Sequence, residues 1–326
     1  MESAYQKALN TFKGAFWANL AGLYRTKGFD NFPESRLLVW DDDFYQAYLL
    51  LESLKEGFSF EGFQKKLLMW YLDRPDGIGL TTFRTLSALS SGASPIEAVY
   101  GSHIFMRGRS AGNAPLMRSF SIPVFLICRD SLAEEKAKPR DGFTEIKDFV
   151  RLNYFSALST HFDPLAAFVS SLYGFIFLAR FYGFSCPDDY RIFAPDGILE
   201  EMKDLFEKYG ADREYEEYRR LYSTVVDRFL KSHSAGLPSR PRAFCVHTYI
   251  VFERVLKEFD TGEKECLPQH TYEEAVLRAI SFGGDRDTQA EVTGAYFAFR
   301  TCEFTNYSPI PNFERIERTL KEVCRA

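Results

Sequence analysis

The chain has 326 residues, of which 46% are hydrophobic, 16% aromatic and 26% charged, and its formal net charge is −5. This length suits one large domain or two ordinary ones, and the composition is that of a folded protein with a bulky core. The acidic balance, with no clustered run of lysine and arginine, argues against a general nucleic-acid binder.

The cysteines and the apolar segments bear on the compartment. Six cysteines are scattered without a Cys-x-x-Cys pair, which favours free or buried thiols in a reducing compartment over a disulfide framework or a zinc site. The first residues lack the apolar core of a signal peptide, and the longest uncharged run, Pro164 to Ala179, falls short of the roughly 18 residues of a membrane-spanning helix. We therefore expect a cytoplasmic protein without a membrane segment, in which this run forms a buried helix.

Helical periodicity begins with the first residues. Apolar side chains recur at three- and four-residue intervals from Ala4 to Tyr24, which predicts a helix carrying a stripe of small residues, Gly14, Ala18 and Gly22, suited to close packing. Further helices are predicted at Asp41, around Met69, from Thr81 or Thr82 to Ser90, from Ile96, at Pro164, within Glu200 to Arg242, from Val246 to Phe259 and from Tyr272 to Ile280, with a charged loop between Arg129 and Lys147. No stretch alternates long enough to predict a strand. We predict an all-α protein forming one domain over residues 1–326.

Three adjacent carboxylates, Asp41, Asp42 and Asp43, stand at the start of the second predicted helix. Negative side chains are favourable there because of the helix dipole, and one aspartate is enough to cap the helix. Three neighbouring carboxylates repel one another unless solvent or a cation screens them. The cluster is therefore consistent either with a solvated helix start or with a divalent metal site.

A second acidic cluster lies near the other end of the chain. Gly283 and Gly284 lead into Asp285, Asp287 and Thr288, which are followed by a predicted helix rich in small residues. Three oxygen ligands at a helix start suit a hard divalent cation, whereas the simpler reading is a glycine turn followed by a capping aspartate. A metal centre that drew on both clusters would bring the two ends of the chain together.

Two further features have both a structural and a functional reading. The loop from Gly108 to Arg118 contains glycine and serine before a predicted helix start, so it is either an ordinary turn or a cradle for a phosphate or ribose. His161 precedes the apolar run and is either a satisfied core histidine or a ligand contact.

Five motifs, taken in chain order, resemble those of the ADP-ribosylglycohydrolase family. Asp41 to Phe44 resembles the family's Thr-Asp-Asp-Thr, and Asp76 to Thr82 resembles its Asp-x-Gly-x-x-Thr. Gly112 to Arg118 resembles its Gly-Asn-Gly-Ser-x-Met-Arg. Thr160-His161 matches its Thr-His, and Gly283 to Thr288 matches its Gly-Gly-Asp-x-Asp-Thr. The last motif is fairly specific, and five in the right order are much more so. The resemblance extends from about Phe12 to the C-terminal helix.

The resemblance implies a compact orthogonal all-α bundle that uses magnesium, with two ions or with manganese instead, to cleave ADP-ribose from a protein side chain or related conjugate. The implied metal ligands are Asp41, Asp42, Asp43, Asp285, Asp287 and Thr288. The implied catalytic residues are Asp42, Asp43 and Asp285, and Gly112, Asn113, Met117 and His161 match the ADP-ribose pocket. An ADP-ribosylated protein or ADP-ribose conjugate is the expected partner.

Several positions depart from the family pattern. Asp41 and Phe44 replace the two threonines of the first motif, and Ala114-Pro115 replaces Gly-Ser, which removes one N–H and one hydroxyl from the loop. The N-terminal loop that carries an acidic residue in the family is shortened, and Glu34 is the nearest replacement. These departures motivate an alternative, a catalytically impaired pseudoenzyme of the same fold that binds ADP-ribose or a partner protein.

Overall fold

The computed structural model describes residues 4–24, 39–131, 142–185, 187–260, 262, 265–305 and 307–324, with the backbone alone for residues 142–145. Glu34 and Cys186 lie outside these ranges. The described residues form α-helices and one short 3-10 helix, Tyr190–Phe193, and contain no strand longer than an isolated bridge. The all-α prediction is confirmed.

The helices are, in chain order, α1 (Ala4–Tyr24), α2 (Asp42–Lys55), α3 (Phe60–Leu72), α4 (Leu80–Ser90), α5 (Pro95–Phe105), α6 (Ala114–Arg118), α7 (Ser121–Ser131), α8 (Gly142–Leu158), α9 (Pro164–Tyr182), α10 (Asp196–Lys208), α11 (Asp212–Tyr222), α12 (Val225–Ser234), α13 (Cys245–Phe259), α14 (Gln269–Ser281), α15 (Arg286–Arg300) and α16 (Phe313–Val323). One cluster of buried hydrophobic side chains includes residues from α1 through to α16.

The small-residue stripe of α1 packs against α15, as its spacing predicts. A β-carbon on Gly14 would overlap that of Ala298 and lie 2.9 Å from the carbonyl oxygen of Gly294. Further along α1, a β-carbon on Gly22 would lie 2.5 Å from the carbonyl oxygen of Arg286. The two helices therefore run antiparallel with their backbones in contact, and the start of α15 lies at the end of α1.

The apolar run from Pro164 forms α9, the central helix of the core. The Asp163 side chain caps it by accepting a 3.0 Å hydrogen bond from the Leu165 amide, and Gly183 ends it with a φ of 76°. Along the helix, the buried hydroxyls of Ser170 and Ser171 donate to carbonyls one turn back. By length and composition α9 could cross a membrane, but 78% of its most apolar window is buried inside the protein.

Two predicted boundaries differ from the structure. Helix α4 is preceded by Gly79 rather than by a threonine cap, and Thr81 and Thr82 are buried within its first turn. Helix α8 begins at Gly142, so helical structure starts inside the stretch predicted as a charged loop. In both places the helix begins before the position that the local composition predicts, because propensity is only a weak guide to helix boundaries.

The expectation of unpaired thiols is wrong for two of the cysteines. Cys266 and Cys302 form a disulfide. The chain segments that carry them meet at an isolated bridge, in which the Leu267 amide donates to Arg300 and the Cys302 amide donates to Leu267. No spacing rule predicts this pairing, because the cysteines lie 36 residues apart. Cys128, Cys245 and Cys324 are free.

The close contact between α1 and α15 predicts that a single added methyl group at this interface destabilises the fold. We expect Gly294→Ala to destabilise the protein by about 1–3 kcal/mol, because the new β-carbon would overlap Ala18 and press on the Gly14 carbonyl. Gly101→Ala is the matched control, since Gly101 lies inside helix α5 with no atom near its missing β-carbon, and alanine there should stabilise by up to about 1 kcal/mol. Urea unfolding measures both, and equal midpoints for Gly294→Ala and wild type would contradict the close approach.

Candidate metal centre and ligand cavity

The first acidic cluster lies at the start of α2. Asp41 is the N-cap, and its Oδ1 accepts a 3.1 Å hydrogen bond from the Phe44 amide. Asp42 and Asp43 follow in the first turn and are almost fully buried. One carboxylate oxygen from each of the three residues lies within 4.8 Å of the others. Asp41 caps the start of α2, so Asp42 and Asp43 are not needed as caps.

The second acidic cluster meets the first directly. Asp285 precedes α15, after Gly283 and Gly284, whose φ angles of 74° and 78° favour glycine. One turn into α15, the Thr288 hydroxyl donates a 2.6 Å hydrogen bond to Oδ2 of Asp43. The structure thus brings together the two clusters that the sequence places at opposite ends of the chain.

Burial and mutual repulsion act strongly on these carboxylates. Burial, followed by the charges of Asp41, Asp287 and Asp285, raises the pKa of Asp42 to about 8. Burial is also the main reason that the pKa values of Asp41 and Asp285 rise to about 6 and that of Asp43 rises well above its ordinary range. A group of carboxylates that ionises this reluctantly would be stabilised by a divalent cation, which takes oxygen ligands of this kind.

Two buried residues behind the cluster are not evident from the sequence. Asn19 of α1 donates from Nδ2 to Oδ2 of Asp41 at 2.8 Å and to Oε2 of Glu291 at 3.0 Å. Glu291 is fully buried on α15, and its Oε1 has no hydrogen-bond partner among the described residues. Burial, followed by the charge of Asp41, raises the Glu291 pKa well above its ordinary range. The signals in the sequence are an asparagine inside an apolar helix and a glutamate one turn after Thr288.

A cavity of about 760 Å³ opens beside the acidic cluster, within the size range of small-molecule sites. Three of the four predicted ADP-ribose contacts, Gly112, Asn113 and His161, line it. Met117 does not, because its side chain is buried in the core on α6. The buried Thr82 hydroxyl also lines the cavity and has no partner among the described residues.

Asn113 joins the cavity to the acidic cluster. Its Nδ2 donates a short hydrogen bond to Oδ2 of Asp285 and lies 3.5 Å from the Thr248 hydroxyl. The loop that carries Asn113 is fixed by the Ala111 carbonyl, which accepts from the Cys245 amide at 3.2 Å. A ligand in the cavity would therefore lie against a loop that already contacts a predicted metal ligand.

His161 is held by a hydrogen bond at one ring nitrogen. The Arg118 guanidinium donates a 2.9 Å hydrogen bond to the Thr160 hydroxyl, which shares a 2.8 Å hydrogen bond with Nδ1 of His161. Burial, with a smaller effect from Arg118, lowers the His161 pKa well below its ordinary range. The other ring nitrogen, Nε2, lies against Gly112, where a β-carbon would approach it to 2.7 Å.

The departures from the family motifs have structural counterparts. Phe44 is buried against Phe12 and Phe16 and so belongs to the core rather than to the acidic cluster. Pro115 lies at the start of α6, where its missing N–H costs no helical hydrogen bond.

Comparison with known proteins gives one family. A model of the ADP-ribosylglycohydrolase family matches residues 3–301. Among solved structures, one described as an ADP-ribosylglycohydrolase-related protein complex aligns over 100% of this chain and 99% of its own, with a TM-score of 0.61 and 20% sequence identity, which shows a shared fold. No curated protein sequence matches. Because the family model spans nearly the whole sequence, the chain belongs to the ADP-ribosylglycohydrolase family.

Proposed function

We propose that the protein is a metal-dependent hydrolase that cleaves the glycosidic bond between ADP-ribose and a protein side chain or related conjugate. The observation that carries the proposal is the junction at Asn113, where a cavity of about 760 Å³ adjoins a buried group of carboxylates from both ends of the chain. Family membership supports the same class of reaction.

The residues present fit a hard divalent cation. Asp41, Asp42, Asp43, Asp285, Asp287 and Thr288 offer oxygen atoms only, and the raised pKa values of Asp42 and Asp43 reflect a negative charge that burial leaves unscreened. We propose that they hold one or two magnesium ions, or manganese. When bound, such ions supply Lewis-acid polarisation and help to orient ribose hydroxyls and water.

The remaining groups bind and orient the substrate. His161, Thr82 and the loop at Gly112 line the cavity, and we propose that they bind phosphate or ribose oxygens. Hydrolysis joins a water oxygen to the anomeric carbon, breaks the glycosidic bond and returns a proton to the leaving atom. We propose that Asp42, Asp43 and Asp285 position the attacking water and accept its proton. Glu34 is a further candidate for the acid and lies outside the described residues.

One observation favours the pseudoenzyme alternative. Both carboxylate oxygens of Asp41 already accept hydrogen bonds, Oδ1 from the Phe44 amide and Oδ2 from Asn19. A residue held in this way caps the helix without a cation. The two proposals differ in turnover, because the pseudoenzyme binds ADP-ribose without releasing it from a conjugate.

Turnover should depend on Asp285. We expect wild-type protein with magnesium to release ADP-ribose from at least one of the arginine, serine and nucleobase conjugates, and Asp285→Asn to lower that rate by at least about 10²-fold. Asp204→Asn is the control, because Asp204 is an exposed aspartate inside α10 that has no hydrogen-bond or ion-pair partner among the described residues. Binding of free ADP-ribose without release from any conjugate would favour the pseudoenzyme.

Magnesium should stabilise the fold through the carboxylates. We expect millimolar magnesium to raise the melting temperature, because a cation bound to the native state alone stabilises it. Asp287→Ala should remove the rise and Asp204→Asn should keep it. A melting temperature that neither magnesium nor manganese changes would count against the metal centre.

Without a divalent cation, stability should depend on pH in a defined direction. The folded-state pKa values of Asp41, Asp285 and Asp42 are raised from 3.8 to about 6, 6 and 8, so the native state binds more protons than the unfolded chain over this interval. Stability should therefore fall as pH rises from about 5 to 8. Thermal unfolding in chelator measures it, and magnesium should flatten the dependence. A melting temperature that rises over this range in wild type and in Asp204→Asn alike would contradict the raised pKa values.

A further inference from the structure

Exposed apolar side chains are concentrated beside the cavity. Eleven large hydrophobic residues of the described chain are strongly exposed, and six of them lie on the consecutive helices α3, α4 and α5. We call these six the apolar rim: Met69, Leu72, Leu80, Phe83, Ile104 and Phe105. Exposed apolar side chains grouped on neighbouring helices indicate a binding surface more strongly than single exposed hydrophobic residues, which are ordinary.

Contacts between side chains, and between side chain and backbone, hold the helices of the apolar rim together. The ring of Phe83 packs edge-on against Tyr71 of α3, with centroids 5.9 Å apart. The Arg84 guanidinium lies 3.7 Å from the centre of the Phe105 ring, and the Ser102 hydroxyl donates to the Thr81 carbonyl at 3.1 Å. The rim is therefore a surface of fixed shape that a partner can bind without ordering it first.

A depression of about 460 Å³ adjoins the apolar rim. Leu72 and Phe83 of the rim line one part of it, and Tyr71 and residues 74–78 line the rest. The opposite side of that loop meets the acidic cluster, since a β-carbon on Gly77 would lie 3.0 Å from Oδ1 of Asp42. One loop thus separates the depression from a predicted catalytic carboxylate.

The apolar rim is also continuous with the ligand cavity. Leu80 belongs to the rim and lines the cavity, and its neighbours there include Met106, which directly follows Phe105. Through Leu80 and through the loop at residues 74–78, the rim therefore adjoins both the cavity and Asp42.

We propose that the apolar rim docks the carrier of the ADP-ribose, receiving apolar side chains that flank the modified residue. This inference rests on the proposed substrate. The carrier is the occupant that the proposed reaction requires, because it is covalently attached to the anomeric carbon at which the bond is cleaved. Once the ADP-ribose unit is bound, contact with the rim is intramolecular, so a modest apolar contact produces a large gain in affinity.

The test compares conjugates that differ only beside the modified residue. Two synthetic peptides carry ADP-ribose on the same residue, which is flanked by leucine and phenylalanine in one peptide and by serine in the other. The third ligand is the ADP-ribosylated amino acid alone. One series is made with ADP-ribose on arginine and a second with ADP-ribose on serine. We expect the apolar peptide to bind wild type at least about tenfold more tightly than the serine peptide. The double variant Leu72→Ser/Phe83→Ser should abolish this difference and leave the Kd of the amino-acid conjugate within twofold.

Phe184→Ser is the matched control. Phe184 is 44% exposed, against 40% for Phe83, but it follows the C-terminal end of α9, whereas the cavity is lined at the N-terminal end. It should leave all three affinities unchanged. Melting curves check that each variant folds, and Ile104→Ser replaces the double variant if that one does not.

Two results would overturn the docking proposal. In the first, the two peptides bind wild type equally. In the second, light scattering shows a dimer that the rim substitutions dissociate while peptide binding is unchanged, which assigns the rim to a second copy of the chain. Failure of the proposed hydrolysis is recognised separately, as binding of conjugates with no release of ADP-ribose.

Discussion

The close packing of α1 against α15 is the contact on which the rest of the site depends. Glycines on both helices let the backbones touch, so the N-terminus of α15 is fixed beside the end of α1. Asn19 on α1 then lies between Asp41 and Glu291, and Thr288 reaches Asp43. The carboxylates are therefore gathered by helix geometry rather than by a flexible loop, which gives them fixed relative positions.

That geometry holds like charges together against their repulsion. The stabilising donors are few: the Thr288 hydroxyl, the Asn113 and Asn19 amides, and the backbone at the start of α2. Each favours an ionised carboxylate, yet burial outweighs them at Asp42 and Asp43. The arrangement is an electrostatic cost to the fold, offset by a large aromatic core. Such costs are common where a protein binds a charged ligand, because the ligand removes them.

Sequence patterns predict the helices well where periodicity is strong, as in α1, α9 and α13. They predict the acidic residues of the site because these residues are adjacent in the sequence. They do not predict Asn19 or Glu291, since the role of each depends on the contact between α1 and α15, which brings the two side chains together. The disulfide is unpredictable for the same reason. Met117 belongs to a motif of the predicted ADP-ribose pocket, yet its side chain is buried in the core and does not line the cavity. A sequence motif therefore does not determine which of its side chains face the cavity.

The closeness of the two chain ends has a consequence for how the protein is made. A total of 272 residues separate Asn19 from Glu291. At synthesis rates of about 5–20 residues per second, α1 leaves the ribosome roughly 15–55 s before its partner helix exists. During that interval Phe12 and Phe16 of α1 can already pack on Phe44 of α2, but the glycine stripe has no native surface to cover it, and contacts of such long range are slow to form. The carboxylates would consequently assemble among the last features of the molecule.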